Sequence, residues 1–270
     1  MSELFYGCGT GLLVPETRPL SFAAYRASNQ ILSKDQIRKI VTHPDRTPAR
    51  QLFPPEVYIR SQGNRGSCNG YAGAWALTRA RVRAGLPFVA LSGEYLYSLI
   101  NGGQDNGSML DDGMQALQVK GIARESLVKH QSYLYSQMSA EAKQDAPNFK
   151  AFECYRVDDE SELASGLAQG FVGVVAVHAS RSYQQLDTRG VRHESHGRGN
   201  HAVGVQDVRI SPSGEFEYDE FGSWGLQNGQ QGCAWLTWSR HLKQTNDYHA
   251  FYLIRAATDA ADSKVPRVKK

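Results

Sequence analysis

At about residue 150 the chain changes its pattern, and that change limits the folds open to it more than any other feature. Between residues 68 and 145 the pattern is mostly helical, with candidate helices at 68–84, 92–100, 109–120 and 139–145 separated by glycine-rich loops such as NGGQDNGS. Beyond it, FKAFECYRV, FVGVVAVHA, HAVGVQDVRI, GEFEYDEFGSW, GCAWLTW and DYHAFYLIRAA are short runs of β-branched and aromatic residues bounded by Gly, Ser, Pro or Asn. One helix at about 160–168 interrupts these runs, and the SPSG turn at 211–214 joins two of them as a hairpin. Helices first and strands afterwards predict an α+β chain with an α lobe followed by a β lobe.

The flanks differ from this body. Residues 1–43 contain one candidate helix, DQIRKIVTH, among turn-rich segments and read as an N-terminal extension, while HPDRTPARQLFPPEV reads as an irregular entry to the main domain. Residues 258–270 form a basic tail ending KVPRVKK. With 270 residues, 41% of them hydrophobic and 21% charged, the chain can build a sizeable core. A formal net charge of +3 with scattered basic residues gives no broad footprint for nucleic acid.

No apolar run approaches the roughly 18 residues of a membrane span, and MSELFYGCGTGLLVPETRP has neither a basic n-region nor an apolar h-region. Neither a membrane partner nor a classical export signal is expected. Cys8, Cys68, Cys154 and Cys233 lie far apart without a CxxC pair, which argues against a zinc site or a disulfide framework and for a reducing, cytoplasm-like compartment. No metal or cofactor is expected.

Cys68 carries the chemical interest. In QGNRGSCNGYA it opens the first strong helical stretch, where unpaired N–H groups and the helix dipole favour a thiolate. A nucleophilic thiolate needs a base and oxyanion donors. Of eight histidines, His201 stands out because GRGNHAVGVQDV places it at the opening of a buried strand, 133 positions after Cys68 and on the other lobe. As isolated features, a free cysteine is commonly a small buried hydrophobe and a histidine at a strand start a structural residue.

Together these stretches resemble the papain-like cysteine peptidases. Gln62 lies six positions before Cys68, as the family's oxyanion-hole glutamine does, and Gly66-Ser67-Cys68 matches directly. Asn200-His201-Ala202-Val203 is similar to the family's catalytic-histidine motif, and Gly222-Ser223-Trp224-Gly225 to its Asn-Ser-Trp-Gly. LSGEYLYSL resembles the family's Leu-Ser-Glu helix, and Gly107-Ser108 takes the Gly-Gly position that pairs with substrate backbone. The likeness, closer to microbial members, covers roughly residues 44–255. It implies a two-lobe peptidase domain at 44–257, with an α lobe at about 60–148, a β-barrel-like lobe at about 149–257 and a cleft between them. It also implies that Cys68 is nucleophile, His201 base, Gln62 oxyanion donor and Trp224 a shield for the histidine.

Three departures bear on function. Arg65 stands where many relatives have a half-cystine, and Asn69-Gly70 replaces Trp-Ala after the nucleophile. Gly222 stands where the family has the asparagine that orients the histidine, so Glu220, two residues back on the same strand face, is the candidate stand-in beside an ordered water or impaired activity. The expected function is cleavage of peptide or isopeptide bonds through a thioester. The alternatives are a catalytically impaired binding component of a larger assembly, docked through the N-terminal extension, and a thioester-based acyltransferase or deamidase.

Overall fold

The computed structural model describes residues 9–17, 21–53, 59–248 and 251–256; the first eight residues and the basic tail at 258–270 lie outside them. Helices occupy Lys34–Val41, Cys68–Arg83, Gly93–Ile100, Leu110–Val119, Ala140–Asp145 and Glu160–Ala168. Six strands follow the expected runs: β1 Ala151–Val157, β2 Val172–Val177, β3 His201–Ile210, β4 Phe216–Phe221, β5 Cys233–Thr237 and β6 Phe251–Ala256. The sequence pattern did not signal the single helical turn at Ala49–Leu52, nor the π-helical stretch Trp238–Leu242 running into the helix Lys243–Tyr248.

The strands form one antiparallel sheet in the order β1-β6-β2-β3-β4-β5. A barrel-like lobe was expected, and the sheet is instead open, because β1 pairs with β6 and β5 with β4 without closing on each other. Both edges are partly covered: Ala24 bridges to Arg156 of β1, and Val191 to Trp235 of β5. Such cover removes bare edge groups that invite intermolecular pairing.

The helix Cys68–Arg83 is the structural axis. Its residues from Cys68 to Ala80 are all buried, which a single apolar stripe cannot explain. Small residues allow it: a Cβ on Gly70 would sit 2.4 Å from the Gly93 carbonyl oxygen, and one on Gly73 2.7 Å from Leu96. Arg81 and Arg83 in the last turn complement the dipole, and Gly85 at φ +82° ends the run.

On its inner side the helix meets β3 through polar groups as well as apolar ones. Register between β3 and β4 shifts between Val205 and Asp207, and Gln206 in that irregularity accepts from Arg79 Nε at 2.6 Å and donates to Asp219 at 2.9 Å. Asp219 also takes Arg50 at 2.7 Å, while Arg46 pairs with Asp207. The Arg79 guanidinium lies 3.7 Å from the Phe221 ring centre, and that ring fills the space beside Gly204, where a Cβ would come within 1.8 Å of it. This buried seam fixes the helix that begins at Cys68 against the strand that begins at His201.

Arg79→Met keeps the aliphatic stem but leaves Gln206 Oε1 without its donor. Urea unfolding should show a loss of about 2 kcal/mol, the scale for one unsatisfied buried polar group. A change under about 0.5 kcal/mol, the range of an ordinary surface substitution, would show that the seam does not hold the helix to the sheet.

Candidate active site

Cys68 is the first residue of its helix and fully buried, and no side chain of Ser67 caps the helix start. Its sulfur faces the backbone N–H groups of Ala202, the residue after His201, and of Gly11. The seam thus brings together two residues that lie 133 positions apart. His201 is buried with its ring stacked on Trp224, centroids 4.2 Å apart at 23°, and its Nδ1 makes no hydrogen bond among the described residues.

Gln62 reaches the same place because Ser61 bridges to Trp224, the Gln62 N–H donates to the Ser223 carbonyl at 2.8 Å, and the Gly225 N–H donates to that of Arg60. The Ser223 hydroxyl donates to Gln62 Oε1, which turns Nε2 toward the cleft. Nε2 then donates to the carbonyl oxygens of Arg65 at 2.7 Å and Gly9 at 3.0 Å. Trp224 Nε1 donates to the same Gly9 oxygen at 3.3 Å.

Gly9 belongs to a strap that occupies the cleft. The Gly9 N–H donates to Gly63, Leu12 to Asn200, and Leu13 to Ser108, whose own N–H donates to Gly11 at 2.9 Å. Leu12 and Ser108 form a parallel bridge. The seat is close: a Cβ on Gly11 would lie 2.0 Å from the Gly66 carbonyl oxygen, and one on Gly107, at φ +92°, 2.0 Å from that of Gly11. Ser108 therefore pairs an extended segment with its backbone, and Gly107 leaves room for it.

Two departures from the family pattern find their places. Arg65 forms an ion pair with Asp105 at 3.1 Å, and Asp105 also accepts from the Gly66 N–H and the Tyr97 hydroxyl, so an ionic knot joins the loop before Cys68 to the loop before Gly107. Asn69 Nδ2 donates to Ser108 Oγ and to the Met109 carbonyl, tying the residue after Cys68 to the same loop.

Glu220 does not take the orienting role considered for it. Its carboxylate is held by Arg192, Nε to Oε2 at 2.8 Å and Nη2 to Oε1 at 3.2 Å, with both side chains fully buried. A buried carboxylate needs such a partner, and the guanidinium fork satisfies it. The slot beside Gly222 is bordered by the same cluster: a Cβ there would lie 3.4 Å from Asn228 Nδ2 and 3.5 Å from Glu220 Oε1, and Asn228 Oδ1 accepts from Arg192.

The electrostatics reverse one expectation. A helix start alone would lower the Cys68 pKa, yet the thiol is held above its usual value because burial outweighs the N–H groups facing it. Burial, with the Arg192 cation next, holds the His201 imidazole down at about 3. With the strap in place, sulfur and imidazole are both neutral.

The sequence reading missed the strap, the Arg192–Glu220–Asn228 cluster and the Ser223 hydrogen bond to Gln62. The short repeat Gly9-x-Gly11 was the visible trace of the strap, since side-chain-free positions suit close backbone approach. Among the described residues no group of three or more His, Cys, Asp or Glu could hold a metal ion, and no helix is long and apolar enough to cross a membrane.

No protein-family model and no curated protein sequence matches this chain. Solved structures do. Xylellain, a cysteine protease from Xylella fastidiosa, is similar at a TM-score of 0.70 and 21% identity, over 96% of this chain and 100% of its own. Procathepsin B S9 from Trypanosoma congolense has a TM-score of 0.62 at 14% identity over 94% and 87%. The bromelain protease from Ananas comosus has a TM-score of 0.58 at 16% identity over 74% and 93%. The chain has the fold of the papain-like cysteine proteases.

Proposed function

We propose that the protein is a cysteine peptidase, seen with its cleft closed by its own residues 9–13. One observation carries this reading: an extended piece of polypeptide lies across Cys68, paired with the Ser108 backbone on both its donor and acceptor sides, while Gln62 Nε2 holds a backbone carbonyl oxygen at 3.0 Å. That is the contact an acyl oxygen needs.

When the strap leaves, water and a substrate carbonyl reach the sulfur and the burial that keeps the thiol protonated is relieved. His201 takes the thiol proton, and Cys68 Sγ attacks the carbonyl carbon. The oxygen that becomes negative is held by Gln62 Nε2 and the Cys68 N–H. As the tetrahedral carbon collapses, the C–N bond breaks and the His201 imidazolium gives its proton to the leaving amine. Water then attacks the thioester with His201 as base, and the carboxylic acid and free thiol are released. Trp224, stacked on the ring, keeps solvent off one face of the imidazole. An amine in place of that water gives acyl transfer from the same thioester.

A peptide-binding protein without turnover is the second reading, favoured by the buried His201 Nδ1, which has no hydrogen-bond partner among the described residues. Peptide hydrolysis by the full chain separates the two. Cys68→Ser should abolish cleavage, and His201→Ala should lower it by several orders of magnitude, because nucleophile and base act as one unit. Gln62→Ala should lower turnover roughly 10²–10³-fold with little change in KM, the range for one oxyanion donor. Turnover that survives Cys68→Ser would end the peptidase reading.

Gly11→Val cannot be seated where a Cβ meets Gly66 at 2.0 Å, so it should open the cleft and raise cleavage about tenfold or more by increasing the competent fraction. Unchanged or lower activity in this variant would count against closure by the strap.

The closed form also predicts a pH dependence. Between the free imidazole value of about 6.5 and the folded value of about 3, the unfolded chain binds a proton that the folded chain does not. The stability from keeping His201 neutral is complete above about pH 6.5 and lost as pH falls toward 3. Urea unfolding of His201→Gln should decline less steeply than the parent across that window. Parallel curves would show that His201 is not held neutral.

A further inference from the structure

Gln131 is one of two non-glycine residues among those described with a left-handed backbone, at φ +67°. That conformation is uncommon for a residue with a side chain and persists only where the surroundings require it. The side-chain amide of Gln131 lies 3.3 Å from His130 Nε2 and reaches the loop before Cys68. Gln131 Nε2 donates to the backbone carbonyl of Gln62 at 2.8 Å.

A second residue bends to the same contact. Gly63, next to Gln62, also has a left-handed φ of +62°, and a Cβ there would lie 2.1 Å from Gln131 Nε2. A side chain at position 63 would expel the amide. The loop carrying Gln131 is fixed from behind: the buried Glu94 carboxylate accepts from the Gln131 N–H at 3.3 Å and from the Tyr71 hydroxyl at 2.6 Å, and lies 2.8 Å from His130 Nδ1. Tyr71 stands in the first turn of the Cys68 helix, so the loop is referenced to the nucleophile's own helix.

We propose that Gln131 is a positioning residue that sets the oxyanion-binding amide of Gln62, clamping its backbone carbonyl while Ser223 clamps its backbone N–H and its side-chain Oε1. The inference rests on the assignment of Gln62 as oxyanion donor. Its physical content is that the Gln62 backbone is fixed on both polar groups, so the Nε2 direction depends on Gln131 as well as on Ser223. Small misplacement of a preorganised donor lowers transition-state stabilisation more than substrate binding.

The decisive variant is Gln131→Gly in the full chain. Glycine suits a φ of +67°, so the variant should be as stable as the parent or more so, while the clamp is lost. Two thiol probes then divide the outcomes. A peptidyl aldehyde forms a hemithioacetal whose oxygen uses the oxyanion donors, and its affinity should fall about tenfold. Iodoacetamide is displaced at a saturated carbon and uses no oxyanion donor, so its rate at Cys68 should not change. In peptide hydrolysis kcat should fall with KM nearly constant, and Gln131→Asn, a shorter amide tolerant of this backbone, should lie between Gly and parent.

Unchanged aldehyde affinity and kcat in Gln131→Gly, with a parent that binds aldehyde, would overturn the positioning role alone. An equal loss with both probes would overturn it as well, since that marks a general disturbance of Cys68. A parent that binds no peptidyl aldehyde would overturn the peptidase reading, and this inference with it.

Discussion

The structure depends on the docking of one helix against one sheet. Cys68 and His201 belong to different halves of the chain and acquire a common setting only because the helix Cys68–Arg83 is pressed onto β3. Its small residues bring its backbone close to the neighbouring helix. At the other end Arg79 lies over Phe221 and donates to Gln206, which donates in turn to Asp219, while Arg50 pairs with Asp219 and Arg46 with Asp207. A seam of this kind is geometrically exacting, because each buried polar group must find its partner. That exactness is transmitted to the helix start, where the sulfur lies against the backbone of the residue after His201.

Within this frame two opposing effects set the state of the thiol. Backbone N–H groups at the helix start and from Ala202 and Gly11 favour the thiolate, while complete burial favours the thiol. With the strap across the sulfur, burial wins. The strap is held by backbone hydrogen bonds to Gly63, Asn200 and Ser108 and by Gln62 and Trp224, contacts that ask little of its side chains and place glycines where backbones meet. It satisfies Gln62 Nε2, Trp224 Nε1 and both backbone groups of Ser108.

Much of this was legible in the sequence, for identifiable reasons. The helices at 68–84 and 160–168 and all six strands follow from local periodicity and turn residues, which need no knowledge of the partner element. Gln62, Cys68, His201 and Trp224 were singled out through the resemblance of short motifs, and the structure places all four beside residues 9–11 or against one another. Glu220 was misjudged because strand alternation gives the face of a residue but not its partner. Arg192 arrives from a loop 28 positions away and takes the carboxylate. The openness of the sheet depends on which edges meet, and no single strand carries that information. The strap was read as part of an extension because its pairing is made by backbone groups that every residue has.

The central claim is that Cys68 is an activatable nucleophile in a peptide-binding cleft that residues 9–13 close. The most direct measurement is to treat the full chain and its Gly11→Val variant with a peptidyl epoxide, digest both, and locate the adduct by mass spectrometry. The account predicts a thioether on Cys68 in both, formed faster in the variant, with the buried Cys154 and Cys233 unmodified. A Gly11→Val protein that folds, yet carries no adduct on Cys68 or carries it only on another cysteine, would contradict it.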